Sequence, residues 1–399
     1  MLRAVKSLFL GVLFTALWLL NQIVPKKGNL VLFGSRPAFS GNSRALFDYI
    51  RREFPQYECV WLVSDRAPAT LDHNVRAYSL KSLAGLTAIL RASYIFLTHI
   101  EPLTVFYVTR ANRRQKVVLL WHGMPLKAMG FSDRTESEDN LRVIKMVSRR
   151  ADLLVATSSV TKNALCASFF IDPRRVAVVG QPRNDLLFDR ERQRRRLWDL
   201  LGVDPGRYRA VIMWLPTFRT GYAGRREGRS LLFALDERGL AALSRFLVAN
   251  NCLLVVKPHV VEKDTLPTPA ENIVVLTDAE LSGLDMDLYH VLGGIDILIT
   301  DYSSVYIDFL LLDRPIVFDV NDLGIYDEVR GFMLTPLSFW LPGPRVASVD
   351  ELIKAIRLLL DDPSLYGEER RLVNDLLNEY KDDKSCERVC SLVFAPERR

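Results

Sequence analysis

The sequence predicts an α/β protein made of two domains, each containing a parallel β-sheet. Short apolar runs alternate with amphipathic helical patterns along almost the whole chain, which is typical of strands buried on both faces of a parallel sheet. The length of 399 residues fits two domains better than one. Hydrophobic residues make up 49% of the chain and charged residues 25%, a balance that excludes a largely disordered protein.

Residues 1–27 are predicted to form a hydrophobic membrane-anchoring segment. An apolar run covers residues 8–20, with Arg3 and Lys6 before it and Lys26 and Lys27 after it. No small-residue cleavage site follows, which disfavours a signal peptide. The run is short for a membrane span, which needs about 17–25 residues, so a helix lying in the membrane interface is an equal alternative, and a helix buried in the core is a third.

Residues 28–188 are predicted to form the first domain. A helix within residues 40–54 places Leu46, Phe47 and Ile50 on one apolar face. Residues 79–99 have the pattern of a helix followed by a strand. Further strands are expected within residues 29–35, 58–65, 116–123, 151–159 and 175–182.

Residues 189–399 are predicted to form the second domain. The chain crosses between the domains in residues 189–209, where a helix with an Arg run is followed by a turn containing Gly and Pro. The Arg run fits a solvated helix face, with phosphate or anionic lipid binding as the alternative. A helix is predicted within residues 348–362 with Ser348 as its N-cap. Strands are expected within residues 210–217, 251–259, 272–278, 295–304 and 314–320.

Charge and cysteine content narrow the function classes. The 53 Lys and Arg residues outnumber the 47 Asp and Glu residues only slightly, so the net charge of +6 does not indicate nucleic-acid binding. The five cysteines are scattered and contain no CxxC pair, which favours a reducing compartment. We expect no metal cage built from protein side chains, and a need for Mg²⁺ stays open.

Polar residues follow five of the predicted strands at the point where each strand ends. Because ligands bind beyond the carboxyl ends of the strands in an open α/β sheet, these residues are the candidate site. They combine histidines, basic side chains and hydroxyl groups. The five segments are residues 122–127, 181–185, 216–219, 257–259 and 301–304.

Ser303 and Ser304 stand where a helix is expected to begin. A helix N-terminus presents free N–H groups and binds phosphate, although a serine there can also serve only as the helix cap. Lys257 and His259, which follow a neighbouring strand, favour the phosphate-binding interpretation. Neither GxGxxG nor GxxxxGKS occurs, so the phosphate is not held by a dinucleotide-binding or P-loop motif.

His122 is the candidate general base, because imidazole titrates near neutral pH and Gly123 allows close backbone approach. The alternative is an ordinary loop histidine. His73, His99 and His290 lack comparable neighbours in the sequence and are interpreted as structural or surface residues.

Six ordered segments resemble the CDP-glycerol glycerophosphotransferases, the family of teichoic-acid primases and polymerases and their capsule-synthesis relatives. The likeness extends from about Gly28 to Tyr380, and the six segments together are specific whereas each alone is weak. The segments are residues 121–131 (WHGMPLKAMGF), 181–187 (QPRNDLL), 214–219 (WLPTFR), 255–259 (VVKPH), 297–318 (ILITDYSSVYIDFLLLDRPIVF) and 326–344 (YDEVRGF with a later PGP).

The resemblance implies a GT-B-like fold, in which two Rossmann-like domains face a cleft. The first domain would face the acceptor, and the second would hold the CDP-activated donor. An acceptor hydroxyl would attack the β-phosphorus of CDP-glycerol, transferring glycerol phosphate and releasing CMP. The acceptor would be lipid-linked or a polysaccharide, and the N-terminal segment would keep the enzyme at the cytoplasmic face of the cell membrane, against an anionic lipid surface.

The resemblance also implies the site residues. His122 would be the general base, and His259 would stabilise the phosphates or the leaving group. The implied donor-binding residues are Gly123, Met124, Pro125, Leu126, Arg183, Pro216, Thr217, Lys257, Asp287, Leu288, Tyr289, Thr300, Asp301, Tyr302, Ser303, Ser304 and Asp308.

The chain departs from the family pattern at Met124, Gln181 and Thr220, where Thr, Tyr and Asp are common. These departures leave the donor polyol open, so a CDP-ribitol transferase is an alternative. A nucleotide-sugar glycosyltransferase of the same fold is another, with a sugar contact from an acidic residue. A membrane-tethered nucleotide-binding protein without activity is the third. The acidic candidates for the sugar contact are Asp278, Glu280 and Asp285.

Overall fold

The computed structural model describes residues 2–64, 75–100, 103–110, 112–217, 230–258, 270–329 and 331–395. The chain divides into two compact units. Unit 1 comprises residues 1–122, 136–185 and 382–399, and unit 2 comprises residues 123–135 and 186–381.

The described residues form two sheets in which every strand pair is parallel, so the predicted α/β class with two parallel sheets is confirmed. Unit 1 contains the strand order β3-β2-β1-β4-β5-β6-β7, and unit 2 contains β10-β9-β8-β11-β12-β13. The strands are β1 Lys27–Gly34, β2 Glu58–Val63, β3 Ala77–Ser79, β4 Ala92–Leu97, β5 Lys116–Leu119, β6 Leu153–Ala156, β7 Val176–Val178, β8 Ala210–Leu215, β9 Cys252–Val256, β10 Ile273–Val275, β11 Ile297–Thr300, β12 Ile316–Asp319 and β13 Arg345–Val346.

Helices lie between most of the consecutive strands in the described residues, as is usual for connections between parallel strands. They are α1 Leu2–Ile23, α2 Gly41–Glu53, α3 Leu83–Arg91, α4 Leu103–Thr109, α5 Glu138–Arg150, α6 Ser159–Phe169, α7 Arg190–Leu201, α8 Leu231–Ala234, α9 Glu237–Ala249, α10 Asp278–Gly283, α11 Val305–Phe309, α12 Leu323–Val329, α13 Leu337–Trp340, α14 Val349–Asp361, α15 Gly367–Leu377 and α16 Ser385–Phe394.

Several helices begin at a polar residue that the sequence makes recognisable. The predicted cap at Ser348 is confirmed, since its hydroxyl accepts the backbone N–H of Glu351 at 3.3 Å. Ser158 and Thr277 form capping boxes at α6 and α10. Each such cap satisfies N–H groups that the helix itself leaves without partners, which is worth about 1 kcal/mol.

The strand order of each sheet reverses direction once along the chain. In unit 1 the reversal lies between β1 and β4, and in unit 2 between β8 and β11. The carboxyl ends of the strands on either side of such a point form the usual ligand-binding crevice of an open α/β sheet. The fold therefore directs attention to the residues that follow these strands and their neighbours.

Both sheets are packed on apolar side chains. In unit 1, Phe33 stacks on Phe96 and Trp61, with ring centroids 5.4 and 5.9 Å apart. In unit 2, Trp214 is fully buried in a cluster that also contains Val317 and Ile356. Burial of each large side chain of this kind contributes about 2–3 kcal/mol, so the sheets are rigid supports for the strand-end residues.

The C-terminal helix α16 belongs to unit 1, although the predicted second domain runs from 189 to 399. Phe394 stacks on Tyr57 with ring centroids 4.4 Å apart. The carboxylate of Asp185 accepts the backbone N–H groups of Ser385 and Cys386 at 2.9 and 2.8 Å. These aromatic and hydrogen-bonding contacts explain why residues 382–399 group with unit 1, whereas the domain ranges themselves stay predictions.

Helix α1 packs on the rest of unit 1 through polar and aromatic side chains. Asn21 is buried, with its Nδ2 donating to Oε1 of Gln115 at 2.8 Å, and Trp18 donates its Nε1–H to the carbonyl of Arg110 at 2.6 Å. Phe14 stacks on Tyr107 of α4. Within the described ranges, no helix has the length and apolar character needed to cross a membrane.

Candidate functional site

His122 follows β5 at the carboxyl end of the unit 1 sheet, and its ring has a defined tautomer. Its Nδ1 lies 3.0 Å from the carbonyl oxygen of Thr98, the residue that follows the neighbouring strand β4. A carbonyl oxygen only accepts hydrogen bonds, so Nδ1 carries the hydrogen and Nε2 keeps a lone pair. The ring is therefore able to accept a proton at Nε2, as a general base must.

The surroundings of His122 keep its ring neutral. Burial among protein atoms lowers the pKa of the imidazole to about 4, with a further lowering by Arg183 and a partly compensating effect of the hydrogen bond to Thr98. Part of the residue is nevertheless exposed to solvent. Because the ordinary value is about 6.5, a downward shift of any size leaves the ring neutral and ready to accept a proton at pH 7.

His99, interpreted from the sequence as a structural or surface residue, stacks on His122. The two ring centroids are 4.2 Å apart and the ring planes differ by only 4°. Burial also lowers the pKa of His99, and the charges of His122, Arg36 and Arg183 act in the same direction. The stack thus consists of two neutral imidazoles at pH 7.

Asn42 of α2, which the sequence did not single out, connects the loops around His122. Its Nδ2 donates to the carbonyl oxygens of the two residues before His122, at 3.2 and 2.9 Å, and to Oε1 of Gln181 at 2.9 Å. Its Oδ1 accepts the backbone N–H of Arg183 at 3.1 Å. Trp121 has a φ of 54°, which non-glycine residues rarely adopt. Asn42 therefore holds an unusual turn that leads directly into His122.

Arg183, an expected donor-binding residue, is buried in unit 1. Its Nη1 donates to the carbonyl oxygen of His122 at 2.7 Å. One N–H of the guanidinium therefore orients the backbone of the candidate base. A direct contact of Arg183 with a donor phosphate stays a prediction.

The segment that follows His122 belongs to unit 2 and is buried there from residue 123 to residue 126. The carbonyl of Leu126 accepts the backbone N–H of Met333 at 2.8 Å, and Lys127 pairs with Phe332 in an antiparallel bridge. These contacts anchor the segment in unit 2. Donor binding by Gly123, Met124, Pro125 and Leu126 stays a prediction.

Asp301 and Thr217 follow β11 and β8, the two strands at the reversal point of unit 2, and they bind each other. The backbone N–H and the hydroxyl of Thr217 donate to the two carboxylate oxygens of Asp301 at 2.8 and 2.5 Å. Thr300 donates its hydroxyl to the carbonyl of Leu215 at 2.8 Å. Pro216, which follows Leu215 in the chain, is buried. The structure thus brings together four of the predicted donor-site residues.

Asp319, at the end of β12, is a second buried carboxylate in this region and was not predicted. It accepts the hydroxyl of Ser230 at 2.8 Å and the backbone N–H groups of Leu231 and Asn321 at 2.8 and 3.1 Å. Burial raises the pKa of Asp319 to about 6, and the nearby charge of Asp301 adds to the effect. The available sequence signal was an Asp ending an otherwise apolar strand.

Lys257, the predicted phosphate-binding cation, forms an ion pair. Its Nζ lies 2.8 Å from Oδ1 of Asp278, the first residue of α10, and its side chain is only 9% exposed. Asp278 is also a candidate sugar contact for the glycosyltransferase alternative. In the structure its carboxylate pairs with the lysine, so an anionic donor would have to share or replace this carboxylate.

Ser303 and Ser304 are half-buried before α11. The hydroxyl of Ser303 is 3.5 Å from the backbone nitrogen of Val305, and Ser304 makes no side-chain cap bond. Helix α11 has only five residues, so few peptide dipoles are aligned behind its N-terminus. Phosphate binding by the two serines stays a prediction.

Tyr302, Tyr289 and Asp308 are buried, and their contacts are internal. Tyr302 packs on Tyr326 with ring centroids 4.7 Å apart. The hydroxyl of Tyr289 donates to Oδ2 of Asp308 at 2.5 Å. A contact of Tyr302, Tyr289 or Asp308 with a donor stays a prediction.

Asp287 caps the short 3-10 helix Leu288–His290. Its Oδ1 accepts the backbone N–H of Tyr289 at 3.0 Å and lies 2.8 Å from Nδ1 of His290. His290 is buried, which fits its interpretation as a structural residue. Donor contacts of Asp287 and Leu288 stay predictions.

His259, the second predicted catalytic residue, lies outside the described residues, as do Arg219 and Thr220. In the part of the chain that the structure describes, no three His, Cys, Asp or Glu side chains form a group that could hold a metal ion. The described geometry therefore consists of a neutral histidine pair in unit 1 and a set of hydrogen-bonded carboxylates with one lysine in unit 2.

Comparison with known proteins identifies a family and several relatives. The family model described as CDP-glycerol:poly(glycerophosphate) glycerophosphotransferase matches residues 16–395. The teichoic acid ribitol-phosphate polymerase TarL of Staphylococcus aureus is 28% identical over 377 residues, covering 92% of this chain and 63% of the polymerase. The teichoic acid glycerol-phosphate transferase of the same organism is 26% identical over 407 residues, covering 98% of this chain and 99% of the transferase.

Among solved structures, the wall teichoic acid polymerase TagF has a TM-score of 0.77 with 21% sequence identity, covering 98% of this chain and 96% of the TagF chain. At this identity the likeness concerns the fold, and it supports a GT-B-like α/β architecture. The chain thus spans less than two thirds of the length of TarL and nearly the whole of the glycerol-phosphate transferase.

Proposed function

Because the chain belongs to the CDP-glycerol:poly(glycerophosphate) glycerophosphotransferase family, we propose that it transfers glycerol phosphate from CDP-glycerol to a hydroxyl group of a lipid-linked or polysaccharide acceptor, in the synthesis of a cell-surface polymer such as teichoic acid. The family match confirms the resemblance found in the six sequence segments. The S. aureus glycerol-phosphate transferase, matched over 99% of its length, supports the same activity.

The observation that carries the proposal is the state of His122. Its Nδ1–H is bound to the carbonyl of Thr98, and its lowered pKa leaves Nε2 as a proton acceptor at neutral pH. Nε2 takes the proton of the acceptor hydroxyl while the hydroxyl oxygen forms a bond to the β-phosphorus of the donor. The bond between that phosphorus and the oxygen bridging to CMP breaks, and CMP leaves with the electron pair.

The residues of unit 2 supply charge and shape for the donor in this proposal. Lys257 is the buried cation for the diphosphate, released from Asp278 as the donor binds. The Thr217–Asp301 pair keeps the strand-end loops in position, and His259 stabilises the phosphates or the leaving group. Such pre-positioned charge is the main contribution a protein makes to phosphoryl transfer.

CDP-ribitol is the second candidate donor. It is favoured by the 28% identity to the ribitol-phosphate polymerase TarL. Glycerol and ribitol donors share the CDP half, so the residues that bind CDP do not distinguish between them. The difference must come from residues that contact the polyol.

A donor assay tests the proposal. The purified protein is given CDP-glycerol, CDP-ribitol or UDP-sugars, each with a lipid-linked acceptor, and release of CMP or UDP is measured together with product mass. We expect CMP release and a mass increase of one or more glycerol phosphates, and loss of both in His122→Ala. Turnover of a UDP-sugar alone, or of no donor at all, would contradict the proposal.

The surface of α1 supports a location at the membrane, with the helix lying on the lipid surface. Asn21 faces the protein, while Val12, Leu19 and Ile23 point outward with 63%, 55% and 75% exposure. The exposed basic residue Arg110 lies near Trp18 of the helix. An apolar stripe with a cation beside it fits the interface of an anionic bilayer.

Vesicle binding tests this location. Leu19→Asp is compared with Leu372→Asp, which changes a leucine of similar exposure (51%) on α15. We expect Leu19→Asp to weaken binding to anionic phosphatidylglycerol vesicles at least about fivefold, because it places a charge in the apolar stripe. Equal binding of both variants would contradict an interfacial role of α1.

A further inference from the structure

The stacked pair His99 and His122 contains one ring to which no role has been assigned. His99 follows β4 and His122 follows β5, and these strands are neighbours in the unit 1 sheet. Their rings are parallel within 4° at a centroid distance of 4.2 Å, which is an attractive stacking geometry. One face of the His122 ring is therefore covered by another imidazole.

Thr98 holds both rings at once. Its carbonyl oxygen lies 3.0 Å from Nδ1 of His122, and its hydroxyl lies 2.8 Å from Nδ1 of His99. Thr98 itself is buried, and its backbone N–H donates to the carbonyl of Gly34 on β1 at 3.1 Å. Because one buried residue binds both imidazoles, the position of each ring in the stack is fixed by hydrogen bonds as well as by the ring contact.

The charged groups around the pair keep His99 out of proton chemistry. Arg36 and Arg183 both disfavour the protonated form of His99, as does a proton on His122. Burial adds to this effect, so His99 carries no positive charge at neutral pH. Its contribution to its neighbour is a flat, neutral surface.

We propose that His99 is a positioning residue for the transfer reaction: its ring fixes the plane of the His122 ring and keeps water from one face of it, without exchanging protons with the acceptor. The inference rests on the proposed function in one respect, that His122 is the base. A fixed ring plane directs the Nε2 lone pair in a single direction, and small errors in such alignment reduce turnover strongly. Covering one face of the ring reduces its hydration there, which disfavours the protonated form of His122.

Three variants separate the flat surface from the nitrogen atoms. His99→Phe keeps an aromatic ring but has no nitrogen, His99→Ala removes the ring, and Thr98→Val removes the hydroxyl held against His99 while retaining the backbone carbonyl that binds His122. Two measurements are made on each: the pH dependence of kcat and of kcat/KM, and the titration of His122 followed by NMR of ring-labelled histidine.

For His99→Ala we expect kcat to fall about tenfold with little change in donor KM, and the His122 titration to move upward toward its ordinary value near 6.5. The acid limb of the rate profile should move with it. His99→Phe should recover most of the lost turnover and the low titration point, and Thr98→Val should give a smaller upward shift than His99→Ala.

Two outcomes would overturn the proposal. If His99→Phe loses as much activity as His99→Ala, the nitrogen atoms of His99 are required and the residue relays protons. If His99→Ala titrates and turns over like the wild type, the stack has no role. The NMR titration needs no substrate, so it tests the stack even if the wild-type protein turns over none of the proposed donors.

Discussion

The strand ends of unit 1 and unit 2 carry different kinds of polar group. In unit 1, His122 and His99 are neutral rings, and Nε2 of His122 keeps a lone pair. In unit 2, Asp301 and Asp319 are buried carboxylates whose oxygens accept hydroxyl and backbone N–H donors. An imidazole lone pair is therefore available in unit 1, whereas the carboxylate oxygens of unit 2 are hydrogen-bonded to the loops that they hold.

The physical reason for the difference is the cost of burial. A neutral imidazole needs only one or two hydrogen bonds when it is surrounded by protein, but a carboxylate must be surrounded by donors or else become protonated. When backbone N–H groups from different segments donate to one carboxylate, they hold those segments close together. Substitutions at these groups test this division between the two units.

His122→Ala should have the largest effect. We expect turnover to fall about 100-fold or more, which is the usual range for loss of a general base, measured as CMP release at saturating donor. Since the residue is partly exposed, stability should change by less than about 1 kcal/mol. Turnover at the wild-type rate would show that His122 is not the general base, which would contradict the proposed difference between unit 1 and unit 2.

Asp301→Ala should mainly destabilise unit 2. It leaves the buried backbone N–H of Thr217 without its acceptor, which costs about 1–3 kcal/mol, and urea unfolding measures the loss. Asp301→Asn retains one acceptor oxygen and should lose about half as much. Asp361→Ala on the exposed end of α14 is the control, with an expected change within about 0.5 kcal/mol. A stable Asp301→Ala with impaired turnover would instead make Asp301 a chemical group.

Asp319 should make stability depend on pH. Its pKa is raised to about 6 in the folded protein, above the unfolded value near 3.9, so the contribution is fully present below about pH 4 and is lost as pH rises through 6. The loss amounts to about 2–3 kcal/mol. Relative to Asp319→Asn, wild type should weaken between pH 4.5 and 7.5 in urea unfolding. A constant difference between the two proteins would show that Asp319 is ionised at both pH values.

Lys257 and Asp278 should differ in donor binding. Lys257→Met removes the buried cation, so we expect CDP-glycerol affinity to fall about tenfold, or 1.4 kcal/mol. Asp278→Asn removes the carboxylate that competes for the lysine, and since Asp278 is 40% exposed its effect should stay below about 1 kcal/mol, in the direction of tighter binding. Calorimetric titration measures both. Weaker binding by Asp278→Asn than by Lys257→Met would assign donor recognition to the acid.

The sequence was sufficient for much of the fold and for part of the site. Apolar runs near residues 29–35 and 210–217 correspond to β1 and β8, and Ser348 caps α14 as expected. The short edge strand β13 has two residues and was missed, because so brief a pattern does not differ from a loop. His122 stood out because an apolar strand ends abruptly in a polar residue followed by Gly.

The partners of the site residues could not be predicted from local pattern. His99 contacts His122 because β4 and β5 are neighbours in the sheet. Asp278 pairs with Lys257 because α10 lies close to the end of β9. Asn42 bonds to loops after β5 and β7 that are far from it in the chain. Each of these contacts depends on strand order and helix placement, which periodicity does not encode.

The sequence by itself determined the α/β class, the parallel sheets, the family and the histidine that follows β5, because these depend on local hydrophobic pattern and on short ordered motifs. Tertiary structure alone decided which ring covers His122, which carboxylates hold the loops of unit 2, and which side of α1 faces the protein. The buried Asn21 and the exposed Val12 of α1 show why: the direction in which a helix turns its faces is set by the surface that it packs against.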